Sequence, residues 1–511
     1  MKKAAKAHAR RSLVAAISIA ICLTSALPAA AQLPSLGDGA EMSLAAELRI
    51  GERIAKEIYR DPDYLDDPVL AEYVQGIWQP LMAAARARGD LSPELAERFA
   101  WEVMLLRDRG VNAFALPGGF LGVNTGLINI VTSKDELASV LAHELSHVTQ
   151  RHIVRLIANQ GRTTPLLIGA MLLGILAASR SPAAANAMIV GGSAVAAQTQ
   201  LNFSRDMERE ADRVGFGVSS QAGFDPRGFA SMFGKLQTAS RINDNGSFPY
   251  LRSHPLTTER IADMQNRETQ AGMNTQAPPM TLEHAMATAR SRVLTDPGVD
   301  VLRSYVAEVS GSTFGRKDAA QQTGALYAAV LANLRLRDVR AARALLEPLG
   351  VLVKSDPSAA RLRRLLTAEV ELTDGNAAAA ANLLKDERLD RRPELLLFAQ
   401  ASSRAGQPDA AADRLQTWVA LHPRDAAAWL QLAAARGVQG ERLRSLRAEA
   451  EARVAQFDYP AAVDRFRAAQ DVVRAQTGGG NRSPAEHIEA SIIDTRLRQV
   501  QSIVREQALE R

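Results

Sequence analysis

After residue 40, apolar side chains recur every three to four positions, which predicts helices over 41–60 and 68–85. The turn-rich triplets Asp61-Pro62-Asp63 and Asp66-Asp67-Pro68 separate them. The period then shortens. Residues 101–106, 111–116 and 120–130 favour β structure, with a Pro117-Gly118-Gly119 turn before the last, so a small sheet is expected. Helical spacing returns at Ser133, which with Glu136 forms a capping-box pattern, and that helix is expected to run to about Val154. Ser204 caps a further predicted helix through Val218. A loop rich in Gly, Asp, Asn and Pro is expected from there to Pro255, then a helix pair and linker over 256–320.

Residues 164–199 break this pattern. They form two nearly all-apolar stretches split by Arg180-Ser181-Pro182, each short for a membrane span. Two readings stay open: a buried or surface-packed helical hairpin, or a lid or membrane-touching element, which in a membrane-bound peptidase would be the anchor. From about 320 the chain becomes Ala, Leu and Arg with helical periodicity and no strand signal. Pairs recur at Ala342 with Leu346, Ala380 with Leu384, Ala411 with Leu415, and Ala462 with Phe466, and Gly375, Gly406 and the prolines at 357, 393 and 423 fall at turns. The spacing brackets the period of about 34 of tetratricopeptide repeats, whose stacked helix pairs present a groove to peptides or partner helices; a plain helical bundle is the other reading. Residues 477–484 read as a linker before a last amphipathic helix.

The N-terminus reads as an export signal: five basic residues among the first eleven, an apolar run over 13–27, and a small-residue cleavage site after Ala31. An uncleaved anchor is the alternative, but the run is shorter than a spanning helix needs. Cys22 is the only cysteine, so the mature chain has no thiol for disulfides, nucleophilic attack or metal binding. Any metal must sit on His, Asp or Glu. The formal charge of +5 is carried by the signal, beyond which 56 basic and 56 acidic residues balance, so nothing points to nucleic acid.

His143-Glu144-Leu145-Ser146-His147 lies inside the capped helix, where residues four apart stand one turn above each other on one face. Both imidazoles can therefore reach one ion. Two neutral imidazoles and a carboxylate suit zinc and leave a fourth position for water, which zinc acidifies towards neutral pH. Glu144 is placed to accept the water proton during attack on a scissile carbonyl and to pass it to the leaving amine. Leu137, Val140, Leu141 and Val148 make the rest of the helix apolar, so the charged triplet is partly buried, a cost that a metal offsets. His152, five residues beyond His147, falls off the ligand face and reads as an ordinary helix-end histidine.

The third ligand is sought in the helix that follows Ser204. There Glu208 and Asp212 share a face with Ala211 and Gly215, small residues that let the helix approach the His helix, bringing Glu208 to the metal and Asp212 to a histidine ring nitrogen. Glu210 points about 160° away, at about 100° per residue. Asn112, Ala113, Phe114 and Ala115 are read either as an ordinary strand or as an edge that pairs with extended substrate. His254, in a Pro-bounded loop, is read either as a surface histidine or as a fourth ligand that keeps the enzyme latent.

The His-Glu-Leu-Ser-His motif, followed some sixty residues later by Glu208-Arg209-Glu210-Ala211-Asp212, resembles the M48 metallopeptidases. The resemblance implies Glu208 as third zinc ligand and assigns Asp212 the family's Asp; the 112–119 stretch, Ser204-Arg205, and Ser253-His254-Pro255 through Arg260 also look like family features. The lack of a bundle of spanning helices departs from the integral-membrane members, whereas an export signal with C-terminal repeats resembles the periplasmic β-barrel assembly-enhancing ones. The implied architecture is a signal peptide at 1–31, a mainly helical α+β zincin-like metallopeptidase domain at 32–310, an all-α tetratricopeptide-like repeat domain at 320–475, and a linker and helix at 476–511. The implied activity is that of a periplasmic zinc endopeptidase, one zinc per chain, which degrades misassembled outer-membrane proteins or assists them, its repeats docking on the assembly machinery. A chaperone or scaffold acting through the repeats is the alternative.

Overall fold

In the first helix, α1 (Leu44–Arg60), the Ser43 hydroxyl accepts from the amide of Ala46, and Ile50, Ile54 and Ile58 are turned inward at helical spacing. The computed structural model describes residues 42–159, 205–241, 248–270, 279–295, 297–385, 390–476 and 483–509. The expected signal at 1–31, the apolar pair at 164–199, the Ser204 cap and most of the 477–484 linker lie outside the described residues. None of the described helices is long and apolar enough to cross a membrane. Ser43–Arg511 form one compact unit.

After α2 (Pro68–Arg88) and the short α3 (Pro93–Arg98) come three strands, β1 (Glu102–Leu106), β2 (Ala113–Leu116) and β3 (Phe120–Asn124), in the order β1-β3-β2. β3 runs parallel to β1 and antiparallel to β2, which leaves β2 at an edge. The expected strand over 120–130 stops at Asn124. Thr125–Ile130 is a helix, α4, whose first turn is fixed by burial: the Thr125 hydroxyl donates to the Asp108 carbonyl and the Gly126 amide to the same oxygen. These contacts override the β preference of its Ile and Thr residues.

α5 (Lys134–Thr149) is buried from Glu136 to Thr149, with α2, α7 and α8 packed around it. It ends earlier than the periodicity predicts. Arg151 adopts a left-handed φ of 53°, and α6 (His152–Asn159) starts in a new direction. The expected loop from Val218 to Pro255 also requires correction. After α7 (Arg205–Gln221) it contains α8 (Arg227–Arg241), which buries Phe229, Met232, Phe233 and Leu236, and the short α9 (Tyr250–Ser253). Three helices rather than a pair follow: α10 (Thr258–Gln270), α11 (Leu282–Leu294) and α12 (Val299–Glu308).

Beyond them the described elements are all helical: α13 (Ala319–Arg335), α14 (Val339–Val353), α15 (Pro357–Thr373), α16 (Ala377–Leu384), α17 (Arg392–Arg404), α18 (Asp409–Leu421), α19 (Ala426–Val438), α20 (Arg442–Ala455), α21 (Tyr459–Gln476) and α22 (Pro484–Leu509). Four successive pairs, α13/α14 to α19/α20, turn at a left-handed residue: Arg337, Gly375, Gly406 and Gly440. In each turn the next amide donates back to the carbonyl five residues earlier, from Asp338, Asn376, Gln407 and Glu441. The small-large pairs at 342/346, 380/384 and 411/415 fill the core from the second helix of their pairs. Ala462 and Phe466 belong instead to α21; the fourth pair, α19/α20, escapes the pattern because α20 opens on Arg442-Leu443-Arg444-Ser445.

Two apolar cores result, and α11 serves both. Its Met286, Ala289 and Val293 join the C-terminal core, while Ala287 joins the core beneath the sheet and α5. Three arginines, one buried and two half-buried, bind the two halves at the start of α2. Arg290 spans Asp67 and Glu369 at 2.7 and 2.8 Å, Arg361 joins Glu72 to Glu394, and Arg392 joins Asp66 to Asp425.

Candidate metal centre

The helix that carries the two motif histidines is anchored at its start. The Ser133 hydroxyl accepts from the amide of Glu136 at 3.1 Å. The Glu136 carboxylate does not complete the expected capping box; it accepts from the Thr132 amide and from Lys235 of α8, each at 2.6 Å. Against this helix lies α7. A Cβ built on Gly215 would stand 3.0 Å from the backbone nitrogen of His143, so the close approach needs a residue without a side chain there. Ala211 is fully buried one turn earlier.

This packing brings the motif residues together. The Nε2 atoms of His143 and His147 are 3.0 Å apart, and each is 3.5 Å from a carboxylate oxygen of Glu208. His254 enters the same cluster: its Nδ1 lies 3.0 Å from Glu208 and 3.4 Å from His143 Nε2. One donor atom from each of these four buried residues lies within 4.8 Å of all the others. Glu144 stands beside them. Its Oε2 accepts from the Ala115 amide at 3.0 Å, while Oε1 is buried without a hydrogen-bond partner, 3.4 Å from His254 Nε2.

Three imidazoles and a carboxylate, buried and convergent, fit a zinc ion in donor type and number. The surroundings support the same fit. His143 Nδ1 meets Asp212 at 2.9 Å, and Asp212 is gripped by Arg260 at 2.6 and 2.8 Å. Arg260 also reaches Glu208 at 2.8 Å, so one guanidinium compensates two buried carboxylates. Burial alone would lower the His143 imidazolium pKa, but its bonds to Asp212 and Glu208 outweigh burial and carry it to about 10. Burial lowers His147 well below the usual histidine value, with the neighbouring His143 acting in the same direction. For Glu208 burial would raise the pKa, but His254 and His143 hold it well below the usual carboxylate range. Glu144 is the contrast: burial pushes its carboxyl up, against the pull of His254 and His143.

Several partners in this network were not legible beforehand. His152 is fully buried, not an ordinary helix-end histidine; its Nδ1 is 2.8 Å from His147 Nδ1, and its Nε2 is 3.2 Å from Glu210. The turn at Arg151 re-aims it, which extrapolating one continuous helix cannot foresee. Arg260, seen only as a family-like feature, is the counter-ion of the centre. Tyr250 stacks on His254 at 4.5 Å and donates its backbone amide to the Val111 carbonyl, fixing the His254 loop to the start of the β2 segment. Of that segment, Asn112 directs its carbonyl to Asn124 of β3. Backbone groups alternate along a strand, so those of Ala113 and Ala115 face the free edge and Phe114 faces β3.

Residues 70–268 match the model of Peptidase family M48. The chain is 30% identical over 450 residues to the beta-barrel assembly-enhancing protease of Escherichia coli, covering 86% of this chain and 88% of that protein. It is 32% identical over 354 residues to a putative beta-barrel assembly-enhancing protease of Vibrio cholerae, covering 66% and 68%. A shorter match, 34% over 187 residues, joins it to the mitochondrial metalloendopeptidase OMA1 of Arabidopsis thaliana, covering 34% and 36%. The chain belongs to peptidase family M48 and is a zinc metalloprotease.

Proposed function

We propose that the protein is a periplasmic endopeptidase that acts on misfolded or misassembled outer-membrane proteins and assists their assembly, with one zinc held by His143, His147 and Glu208. The observation that carries this reading is the convergence of those three side chains beside a Glu144 whose Oε1 has no hydrogen-bond partner. The names of the relatives in Escherichia coli and Vibrio cholerae suggest the substrate class, the export signal expected at 1–31 suggests the compartment, and the length of those matches extends the likeness into the helical half. The helix pairs of that half are read as tetratricopeptide-like repeats that dock on the assembly machinery. Residues 164–199 are a candidate for peripheral membrane contact.

Bound zinc supplies a Lewis acid that brings the pKa of its water towards neutrality. Asp212, itself held by Arg260, fixes the ring orientation of His143 through Nδ1. The Ala115 amide holds one oxygen of Glu144, so the other faces the cluster and takes the proton of the attacking water. A carboxyl raised by burial is a better base near neutral pH, and it then protonates the leaving amine nitrogen as the peptide C–N bond breaks. Substrate backbone added to the free edge of β2 along Asn112, Ala113, Phe114 and Ala115 runs beside this carboxylate.

His254 is the latch in this reading. It contributes the fourth donor of the cluster and lies against both Glu208 and Glu144, so it must leave before water and substrate share the site. His254→Ala is expected to raise basal proteolysis of an unfolded outer-membrane protein several-fold; unchanged proteolysis removes the latch. Glu144→Gln tests the whole proposal. It is expected to keep one zinc per chain and to lower cleavage by about 10²- to 10⁴-fold. Cleavage retained at the wild-type rate overturns the role of Glu144, and an inactive variant that still fully supports outer-membrane assembly favours the chaperone.

A further inference from the structure

His143 and His147 are supported differently. The outer nitrogen of His143 meets a carboxylate, the common arrangement for a metal-bound histidine. The outer nitrogen of His147 meets another imidazole, His152, at 2.8 Å; the far nitrogen of His152 lies 3.2 Å from Glu210, and Glu210 is 2.9 Å from Arg155. His152 is fully buried. It reaches this position because the chain breaks at Arg151, whose left-handed φ of 53° is unfavourable for a residue with a side chain. Ion pairing of Arg151 with the buried Glu47, at 3.1 Å, holds the turn in place. Glu210 in turn points away from Glu208, as helix geometry requires, and so faces α6 rather than the cluster.

The direction of these bonds can be worked out from chemistry. If Nε2 of His147 offers its lone pair to the metal, the ring proton is on Nδ1 and must be donated. His152 Nδ1 must then accept, which places the proton of His152 on Nε2, where Glu210 accepts it. Each atom then has one role, and the chain ends on a carboxylate that Arg155 neutralises.

We infer that His152 is a positioning residue for the metal centre, orienting His147 by accepting its Nδ1 proton and relaying that bond to Glu210. The inference rests on the assignment of His147 as a ligand. It concerns metal retention and coordination geometry, because the relay touches neither substrate nor the attacking water.

The test measures zinc affinity by chelator competition, the visible spectrum after cobalt replacement, and the melting temperature of the metal-free protein. Four variants are compared with wild type: His152→Phe, His152→Asn, Glu210→Gln and His143→Ala. His152→Phe fills the space without an acceptor and is expected to weaken zinc binding about 10- to 100-fold and to shift the cobalt bands. His152→Asn restores an acceptor near Nδ1 and is expected to recover most of that loss, while metal-free melting of the two differs little. Recovery by Asn separates an oriented bond from packing. If His152→Phe binds zinc as wild type does, or if Asn and Phe are equally defective, the inference is overturned. Glu210→Gln lies at the half-exposed end of the relay, where folding is safe; a loss of about 3- to 10-fold supports the relay, and wild-type affinity overturns its outer step. His143→Ala is the control: a wild type that binds no more zinc than this variant refutes the metal site itself.

Discussion

Two kinds of helix pair are built from the same small residues and put them to opposite uses. α5 and α7 approach through Ala211 and Gly215 and carry His143, Glu144, His147, Glu208 and Asp212 into the interior. The pairs from α13 to α20 approach through alanines such as Ala342, Ala380 and Ala411 and bury chiefly apolar side chains beside them, with scattered polar groups such as Thr323, Asn333, Ser402 and Glu451. In the first pair every buried charge has to be answered by another group, so its members succeed or fail together. In the second, most contacts answer to shape and area. Where the C-terminal half meets α2, ion pairs through Arg290, Arg361 and Arg392 join it to the rest of the protein.

The largest expected effect follows from the guanidinium at the centre of the first pair. Arg260→Met leaves Asp212 and Glu208 without their buried cation and is expected to cost about 3 to 5 kcal/mol of stability in the metal-free protein. Arg343→Met, which breaks an exposed pairing to Glu371 and Asp374, is expected to cost less than about 1 kcal/mol. Urea denaturation of both variants checks the contrast, and equal costs break it. Next comes an apolar truncation in the second kind of pair. Leu415→Ala removes a fully buried side chain from α18 and is expected to cost about 2 to 5 kcal/mol while zinc content stays at the wild-type level. Loss of zinc from this variant means that the two halves are more strongly coupled than their separate cores imply.

The same contrast governs what could be read from the chain alone. The spacing of His143 and His147, and the shared face of Glu208, Ala211, Asp212 and Gly215, are local properties of a helix, so the convergence of these groups was legible. The helical character of the C-terminal half was legible for the same reason. α8 was hidden because Pro226, Gly228 and Gly234 mark a loop by local rules, although Phe229, Met232, Phe233 and Leu236 already carry helical spacing. Packing decides the matter: Gly228 lies against the backbone of Asp135, where a Cβ would be 2.4 Å from its carbonyl oxygen. His152 was misread because nothing in Gln150-Arg151 announces a left-handed turn; the ion pair that supports it comes from Glu47, more than a hundred residues earlier.

The finest comparison concerns a single charge at the junction of the two halves. Asp425 caps α19 through the Ala428 amide, accepts from the Trp418 indole, and pairs with Arg392, which also holds Asp66. Burial would raise its pKa, but the bonds to Arg392 outweigh burial and hold it below the ordinary value of 3.8. A carboxylate depressed in the folded state contributes stability that is fully present above its unfolded pKa and is lost as pH falls through its folded value. Asp425→Asn keeps a capping oxygen and removes the charge, so it is expected to cost on the order of 1 kcal/mol at neutral pH. That gap should stay constant down to about pH 4.5 and narrow below it, because the unfolded wild-type carboxyl takes up a proton first and the folded one follows only at its lower pKa. Denaturation midpoints of the two proteins at stepped pH measure the gap. A gap that widens in acid would show that Asp425 is held by its geometry alone, and that the charges at the junction, unlike those around Arg260, do not need one another.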